Sequence, residues 1–387
     1  MDIPAPETTV LSATASIASK ETALLPAGDK SGISYLPFLD GLRAISILLV
    51  LGFHQLGPVS GFLGTQLNGW VGVDLFFIIS GFLISSILLK EKDKKGCFSL
   101  KNFYMRRWLR ICPVYYCFLT IMCAWMSLRG EHDYAAFAVA GLYLSNFDMA
   151  SGWGLISAGT GLLITWSLAV EEQFYLFWPA TLKAAGKKAF PVCIILIAAA
   201  YFWRIYLLNN GASWLRLSVG LDTKLDSIML GVALAMLWRG ELFKSKCQEF
   251  FAAGWKQTPL IAAVLVSCHY LGHPATETFP LFFWAFKLPL VLLLMTALLL
   301  SLLSNPASAA ARFLSTRPMV FVGRLSYSLY LWHVIVSFPS TDGILQAICH
   351  HKRYLVELAK FAACIGISAG SYYFIEQPFL KIKSKFS

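Results

Sequence analysis

Arg43 and His54 stand eleven residues apart in FLDGLRAISILLVLGFH, a run otherwise dominated by Leu, Ile, Val and Phe. On an α-helix eleven residues make three turns plus about 20°, so both side chains leave one face, about 16 Å apart along the axis. Histidine is the side chain whose proton moves near neutral pH, which makes His54 a candidate general base. In an apolar run of spanning length such a group is costly and is expected to face the interior of a bundle. Asp74 in GVDLFFIISGFLI and the pair Glu171 and Glu172 in TWSLAVEEQFYLFWP are carboxylates in similar surroundings. Counting back from Lys183 puts the pair about 17 Å along its helix, near the height of His54. A carboxylate beside His54 would orient its ring and favour the imidazolium; an ion pair with Arg43 or Arg204 is the other use open to it. Adjacent helical residues point about 100° apart, so one glutamate of the two is expected to face the cavity.

Further polar groups lie in three apolar segments. In GRLSYSLYLWH, Ser326, Tyr330 and His333 fall at i, i+4 and i+7, a polar stripe on an apolar helix. Asp222 and Asp226 share a face with Lys224 between them, and Lys287 occupies a similar place two spans later. A salt-bridge network and a substrate vestibule fit these charges equally well. YMRRWLRICPVYY sets Arg106, Arg107 and Arg110 among Tyr104, Trp108 and Tyr115, with Pro113 suited to a helix's first turn or to a kink just inside it. Guanidinium groups bind phosphate bidentately and stack on flat rings, so a phosphate-bearing cofactor suits this stretch. No phosphate-binding glycine loop, H-E-x-x-H or G-x-S-x-G motif occurs. His269 and His273 have metal-ligand spacing without a third ligand, and the nine cysteines show no CxxC pair, so neither a metal site nor a disulfide framework is expected.

The elements that must hold these groups are apolar. Of 387 residues 57% are hydrophobic and 14% charged, with a mean hydropathy of +0.63, which excludes an ordinary soluble enzyme and a disordered chain. Runs at 38–57, 70–89, 111–128, 161–182, 189–208, 221–238, 257–271, 281–303, 319–338 and 355–376 approach the ~20 residues a spanning helix needs. Basic residues cluster after every second run, which favours ten spans with both termini cytoplasmic. The net charge of +11 is thereby a membrane-topology signal rather than a nucleic-acid footprint. An eleventh run, 134–147, is short and reads as interfacial or re-entrant. Residues 1–34, rich in Ala, Thr and Ser, are expected to form a disordered cytoplasmic tail, and 380–387 a basic one. The fold class is therefore all-α: a polytopic membrane helix bundle occupying 35–379.

FLDGLRAISILLVLGFH, GVDLFFIISGFLI, FYMRRWLRICPVYY, WSLAVEEQFYLFWP, GRLSYSLYLWH and IEQPF occur in that order. Together they resemble acyltransferase family 3, integral-membrane O-acyltransferases, over nearly the whole chain from Tyr35 to Phe379. The resemblance implies transfer of an acyl group, usually acetyl, from cytoplasmic acyl-CoA to a hydroxyl of a cell-surface glycan, a lipid-linked saccharide or a similar acceptor. It implies no metal, and a bacterial inner membrane as the location. The family's Arg-x10-His motif falls on Arg43 and His54, with His54 as catalytic histidine, acting as base or as acyl carrier. The other matches are Asp74, then Arg106, Arg107, Arg110 and Pro113, then Glu171, Glu172, Gln173 and Phe174. Where relatives often carry Arg-x-Asp, this chain has Lys224 and Asp226, which keeps the charge and loses bidentate geometry. On this basis the donor is expected at Arg106, Arg107, Arg110 and Tyr115. The acceptor is expected among Gln173, Lys224, Asp226, Tyr330 and His333. Many relatives append a periplasmic hydrolase-like domain; this chain is expected to work alone or with a separate periplasmic transferase. The competing function is a proton- or ion-coupled transporter, with His54, Asp74 and Glu171 as the relay.

Overall fold

The computed structural model describes residues 35–56, 69–271, 278–349, 352–383 and 386. The expected tail at 1–34 and His273 lie outside the described residues. Among the described residues every regular element is helical. In chain order these are α1 (Pro37–Leu51), which runs into a π turn at Gly52–Leu56, α2 (Gly69–Lys95), α3 (Leu100–Leu128), α4 (Tyr134–Gly141), α5 (Ser145–Ser151) and α6 (Thr165–Ala185). Then come α7 (Ala189–Asn209), α8 (Trp214–Val219), α9 (Leu221–Trp238), α10 (Glu241–Phe251), α11 (Gln257–Leu271) and α12 (Leu288–Ser304). The chain ends with α13 (Ala309–Leu314), α14 (Arg317–Val336), α15 (Pro339–Ile348), α16 (Arg353–Ser371) and α17 (Gln377–Lys383).

Each of the ten expected segments coincides with a helix. Seven described stretches are long and apolar enough to cross a membrane, α6 and α7 running together in one of them, Leu162–Asn209. The two remaining helices fall short for physical reasons: α9 carries Asp222, Lys224 and Asp226, and α11 has 15 residues. The largest boundary difference from expectation is at the third run. Helix α3 starts at Leu100, where Ser99 Oγ accepts from the Asn102 N–H at 3.3 Å, and not near 111. Its first turns are built of good helix formers too polar to register in an apolar count. Arg106, Arg107 and Arg110 consequently sit on the helix itself, and Pro113 lies in its interior rather than in its first turn.

Helices α1, α2, α9 and α14 form the centre, with α1 packed on α2 and α14, and α2 on α9. In lipid, helices associate by close packing and internal polar contacts rather than by hydrophobic burial. The α2–α9 crossing is reciprocal: Gly81 meets the Ile228 carbonyl and Gly231 meets the Ile78 carbonyl, each with no room for a Cβ. That backbone-on-backbone approach brings Asp74 and Lys224 of the same two helices together.

The run at 134–147 is two short helices of eight and seven residues, each too short to cross a bilayer. Helix α4 ends against the middle of α3, where Tyr115 donates to the Ala140 carbonyl at 2.8 Å and Tyr116 to the Gly141 carbonyl at 2.9 Å. The chain then turns at Tyr143, whose φ of 56° is left-handed, and leaves through α5. Irregular backbone packed within a bundle needs protein partners for its polar groups. Gln173 supplies them: its Nε2 donates to the Tyr143 carbonyl at 2.8 Å and to Asn146 Oδ1 at 2.9 Å, while Asn146 Nδ2 donates back at 3.1 Å. Gln173→Leu is expected to cost about 1–3 kcal/mol by leaving these groups unpaired. Denaturant unfolding in detergent would show it as a lowered midpoint.

Candidate active site

Helix α1 does not reach His54 as a regular α-helix. The π turn at Gly52–Leu56 advances by i→i+5 bonding, so the α-helical count from Arg43 stops holding at its last turn. His54 Nδ1 lies 2.9 Å from the Val50 carbonyl. A carbonyl only accepts, so Nδ1 carries the hydrogen and Nε2 holds the free lone pair of the neutral ring. The ring is exposed, stands edge-on to Phe53, and lies 5.0 Å, centre to centre, from the ring of His333. His333 is 1% exposed. Its Nδ1 lies 2.7 Å from the Tyr330 carbonyl and its Nε2 is buried without a partner.

Next to this pair the polar stripe of α14 continues. Tyr330 donates to the Ile164 carbonyl at 2.8 Å and meets Ser167 Oγ at 2.5 Å. Ser326, Tyr327 and Tyr330 line a cavity of about 60 Å³ together with Arg43, Ser167 and Glu171. Glu171 accepts from Tyr175 at 2.6 Å and from Ser80. Arg43 Nε and Glu172 Oε1 are both buried without a hydrogen-bond partner, an expensive state in an apolar interior. Of the two glutamates it is Glu171 that lines the cavity. Arg107 lies 5.4 Å above the Tyr175 ring and 5.8 Å from that of Phe103, and its charge is felt by Glu172. Of the basic residues near these glutamates, Arg43 lines the cavity, and Arg107 lies behind it over the ring of Tyr175, which donates to Glu171. A track of polar groups thus runs from Arg43 and Glu171 to Tyr330, whose ring lies 5.9 Å from that of His333, and on to His54.

Several expected site residues lie elsewhere. No carboxylate of the described residues touches His54; the Val50 carbonyl orients it instead. Asp74 is held by Lys224 Nζ, 3.0 Å from both its oxygens, and by Ser227 Oγ at 2.8 Å. Asp226 is paired with Arg204, which is 0% exposed and also donates to the Thr223 carbonyl. Lys224 and Asp226 are therefore components of buried ion pairs rather than walls of an open vestibule, and His333 is equally closed to solvent. Tyr115 is buried, stacked on Tyr143 at 4.6 Å, and its hydroxyl donates to the Ala140 carbonyl. Arg106 points away from the other two arginines, to Glu91 at 3.0 Å and to the Phe386 carbonyl at 2.7 Å. Spacing places a residue on a helix face but does not say which neighbour claims it first. The His54–His333 contact was missed for that reason, since its parts lie on separate helices. Both histidines in apolar runs were the available signal.

These features define a membrane helix bundle with a polar interior track ending in a histidine pair. The acyltransferase-domain family profile matches residues 36–373, and the chain belongs to that family, acyltransferase family 3. It is 32% identical over 381 residues to a putative O-acetyltransferase of Staphylococcus aureus, covering 90% of this chain and 58% of that protein. It is 30% identical to the putative peptidoglycan O-acetyltransferase YrhL of Bacillus subtilis (89% and 55% covered). It is 28% identical to the peptidoglycan O-acetyltransferase OatA of Listeria monocytogenes (90% and 56%). The chain thus spans a little over half the length of these relatives. No solved structure matches it.

Proposed function

We propose that this protein takes an acetyl group from cytoplasmic acetyl-CoA and transfers it to a hydroxyl of a cell-envelope glycan, the acceptor class named for two of its relatives. The observation that carries this reading is the polar track from Arg43 and Glu171 through Tyr330 to His54 inside a bundle of this family, with Arg107 behind its Glu171 end. In this reading the arginine end faces the cytoplasm of a bacterial inner membrane, with both termini on that side and ten crossings, an orientation the positive-inside pattern of the loops supports. Arg107 and Arg110 hold the phosphates of the donor, and the thioester reaches along the cavity past Arg43 and Tyr330. His54 Nε2 takes the acceptor hydroxyl's proton; the oxygen attacks the thioester carbon, the C–S bond breaks, and the thiolate leaves with the proton. General-base help of this kind is worth about 10²–10⁴-fold. The residues at the site need no metal for this chemistry.

Thermal unfolding of the detergent-purified protein tests the donor half without any acceptor. Acetyl-CoA at a hundred times its Kd is expected to stabilise by about 2.7 kcal/mol. The shift is expected to survive Arg106→Ala and to vanish in Arg107→Ala/Arg110→Ala. No shift with acetyl-CoA or longer acyl-CoAs, combined with solute flux into proteoliposomes, would replace this reading with a transporter.

A further inference from the structure

Helices α1 and α14 both line the cavity, α1 through Arg43 and α14 through Ser326, Tyr327 and Tyr330. They run the same way, for Gly323 packs on the Asp40 carbonyl and His333 lies beside His54. One turn before Arg43 and Tyr327 stand Asp40 and Arg324, on the same two helix faces. With Tyr35 they form a polar cluster. The Tyr35 hydroxyl donates to Asp40 Oδ2 at 2.6 Å and accepts from Arg324 Nη2 at 3.1 Å. Arg324 Nε is 3.8 Å from Asp40 Oδ2, and the guanidinium stands 5.7 Å from the centre of the Tyr35 ring. The cluster meets solvent: Tyr35 is 49% exposed and the Arg324 side chain 25%. A latch between the helices does not account for it. Gly323 already sets the crossing, with no room for a Cβ against the Asp40 backbone, and Asp40 in the first turn of α1 suits that helix's dipole by itself. At 3.8 Å the Asp40 contact is longer than a hydrogen bond, and a guanidinium has more N–H donors than the Tyr35 contact uses.

We infer that Arg324 and Tyr35 seat the 3′-phosphoadenosine end of acetyl-CoA at the cytoplasmic mouth of the cavity. This rests on the acetyl-CoA reading above. The guanidinium takes the 3′-phosphate, for which its planar fork is suited, and the adenine stacks on the exposed tyrosine ring. The diphosphate is left to Arg107 and Arg110. From Asp40 to His54 the axis of α1 advances about 20 Å, a span for the extended phosphopantetheine arm. The carboxylate of Asp40 opposes the incoming phosphate, so the seat draws its selectivity from Arg324 against that repulsion. The 3′-dephospho analogue of acetyl-CoA has the same thioester, arm and diphosphate, and lacks the one group that Arg324 reads.

Calorimetric titration of the full chain, purified in detergent, tests this with acetyl-CoA and its 3′-dephospho analogue and needs no acceptor. The wild type is expected to bind acetyl-CoA at least about tenfold more tightly than the analogue, the usual scale for a hydrogen bond to a charged group. Arg324→Gln is expected to bind the two alike, at the wild type's affinity for the analogue. Asp40→Asn keeps an oxygen for Tyr35 and removes the repulsion, so its preference for acetyl-CoA is expected to equal or exceed that of the wild type. A wild type that binds both donors equally would overturn the seat, as would a folded Arg324→Gln protein that still prefers acetyl-CoA. So would an Asp40→Asn protein that loses the preference, since a latch between the helices needs both partners. Should Arg324→Gln not fold, the wild-type and Asp40→Asn ratios decide alone. A wild type that binds neither donor would instead overturn the acetyl-CoA reading, and the seat with it.

Discussion

His54→Ala is expected to lower acetyl transfer by at least about 10²-fold and to leave the unfolding midpoint close to that of the wild type. The two halves of this expectation have separate grounds. The catalytic half follows from the free Nε2, the fixed Nδ1 and the neighbouring His333 at the end of the polar track. The stability half follows from exposure: the ring is bonded only to the Val50 carbonyl of its own helix, and removing a surface contact usually changes stability by under about 0.5 kcal/mol. The check is CoA release from acetyl-CoA beside a thermal melt of the same preparation. A variant with wild-type turnover would remove His54 from the mechanism.

Lys224→Met is expected to act in the opposite way, through stability. Breaking a buried ion pair by deleting one partner costs about 3–5 kcal/mol, because the other charge is left in a place water does not reach. Lys224 is 4% exposed and Asp74 1%, and the Ser227 hydroxyl alone would not replace the ammonium. The double variant Asp74→Leu/Lys224→Met is expected to recover most of the loss, since a well-packed apolar pair is often as stable as the ion pair it replaces. Unfolding midpoints of the two variants measure this directly. KM for the glycan acceptor separates the alternatives: an unchanged value in the double variant fits a structural pair, while a large rise would return Lys224 to the acceptor site.

The legible part of this protein was what depends on local composition. Runs of apolar residues mark where helices form, because a bilayer demands length and apolarity from each segment in isolation. The polar stripe of α14 was legible for the same reason: Ser326 and Tyr330 share a helix face, and both line the cavity. Less legible was the partner of a residue with several eligible ones. Gln173 and Tyr115 sit in motifs that read as binding elements, and in the structure both hydrogen-bond the backbone of the short helical hairpin at 134–151. Arg106 stands beside Arg107 in sequence but points about 100° away, where Glu91 takes it.

By itself the sequence determined an all-helical membrane bundle, the family, and a histidine with a distant arginine on one helix. It determined these because spacing, hydropathy and motif order are properties of the chain alone. Tertiary structure decided which charges cancel and which stay available. Asp74 was an equal candidate with Glu171 until the glycine crossing of α2 and α9 brought Lys224 to within 3.0 Å of it. His333 was one of several polar groups until α14 packed against α1 and laid its ring beside that of His54. In a medium that offers no water, a polar group takes whichever partner the packing delivers, and only the folded chain fixes that choice.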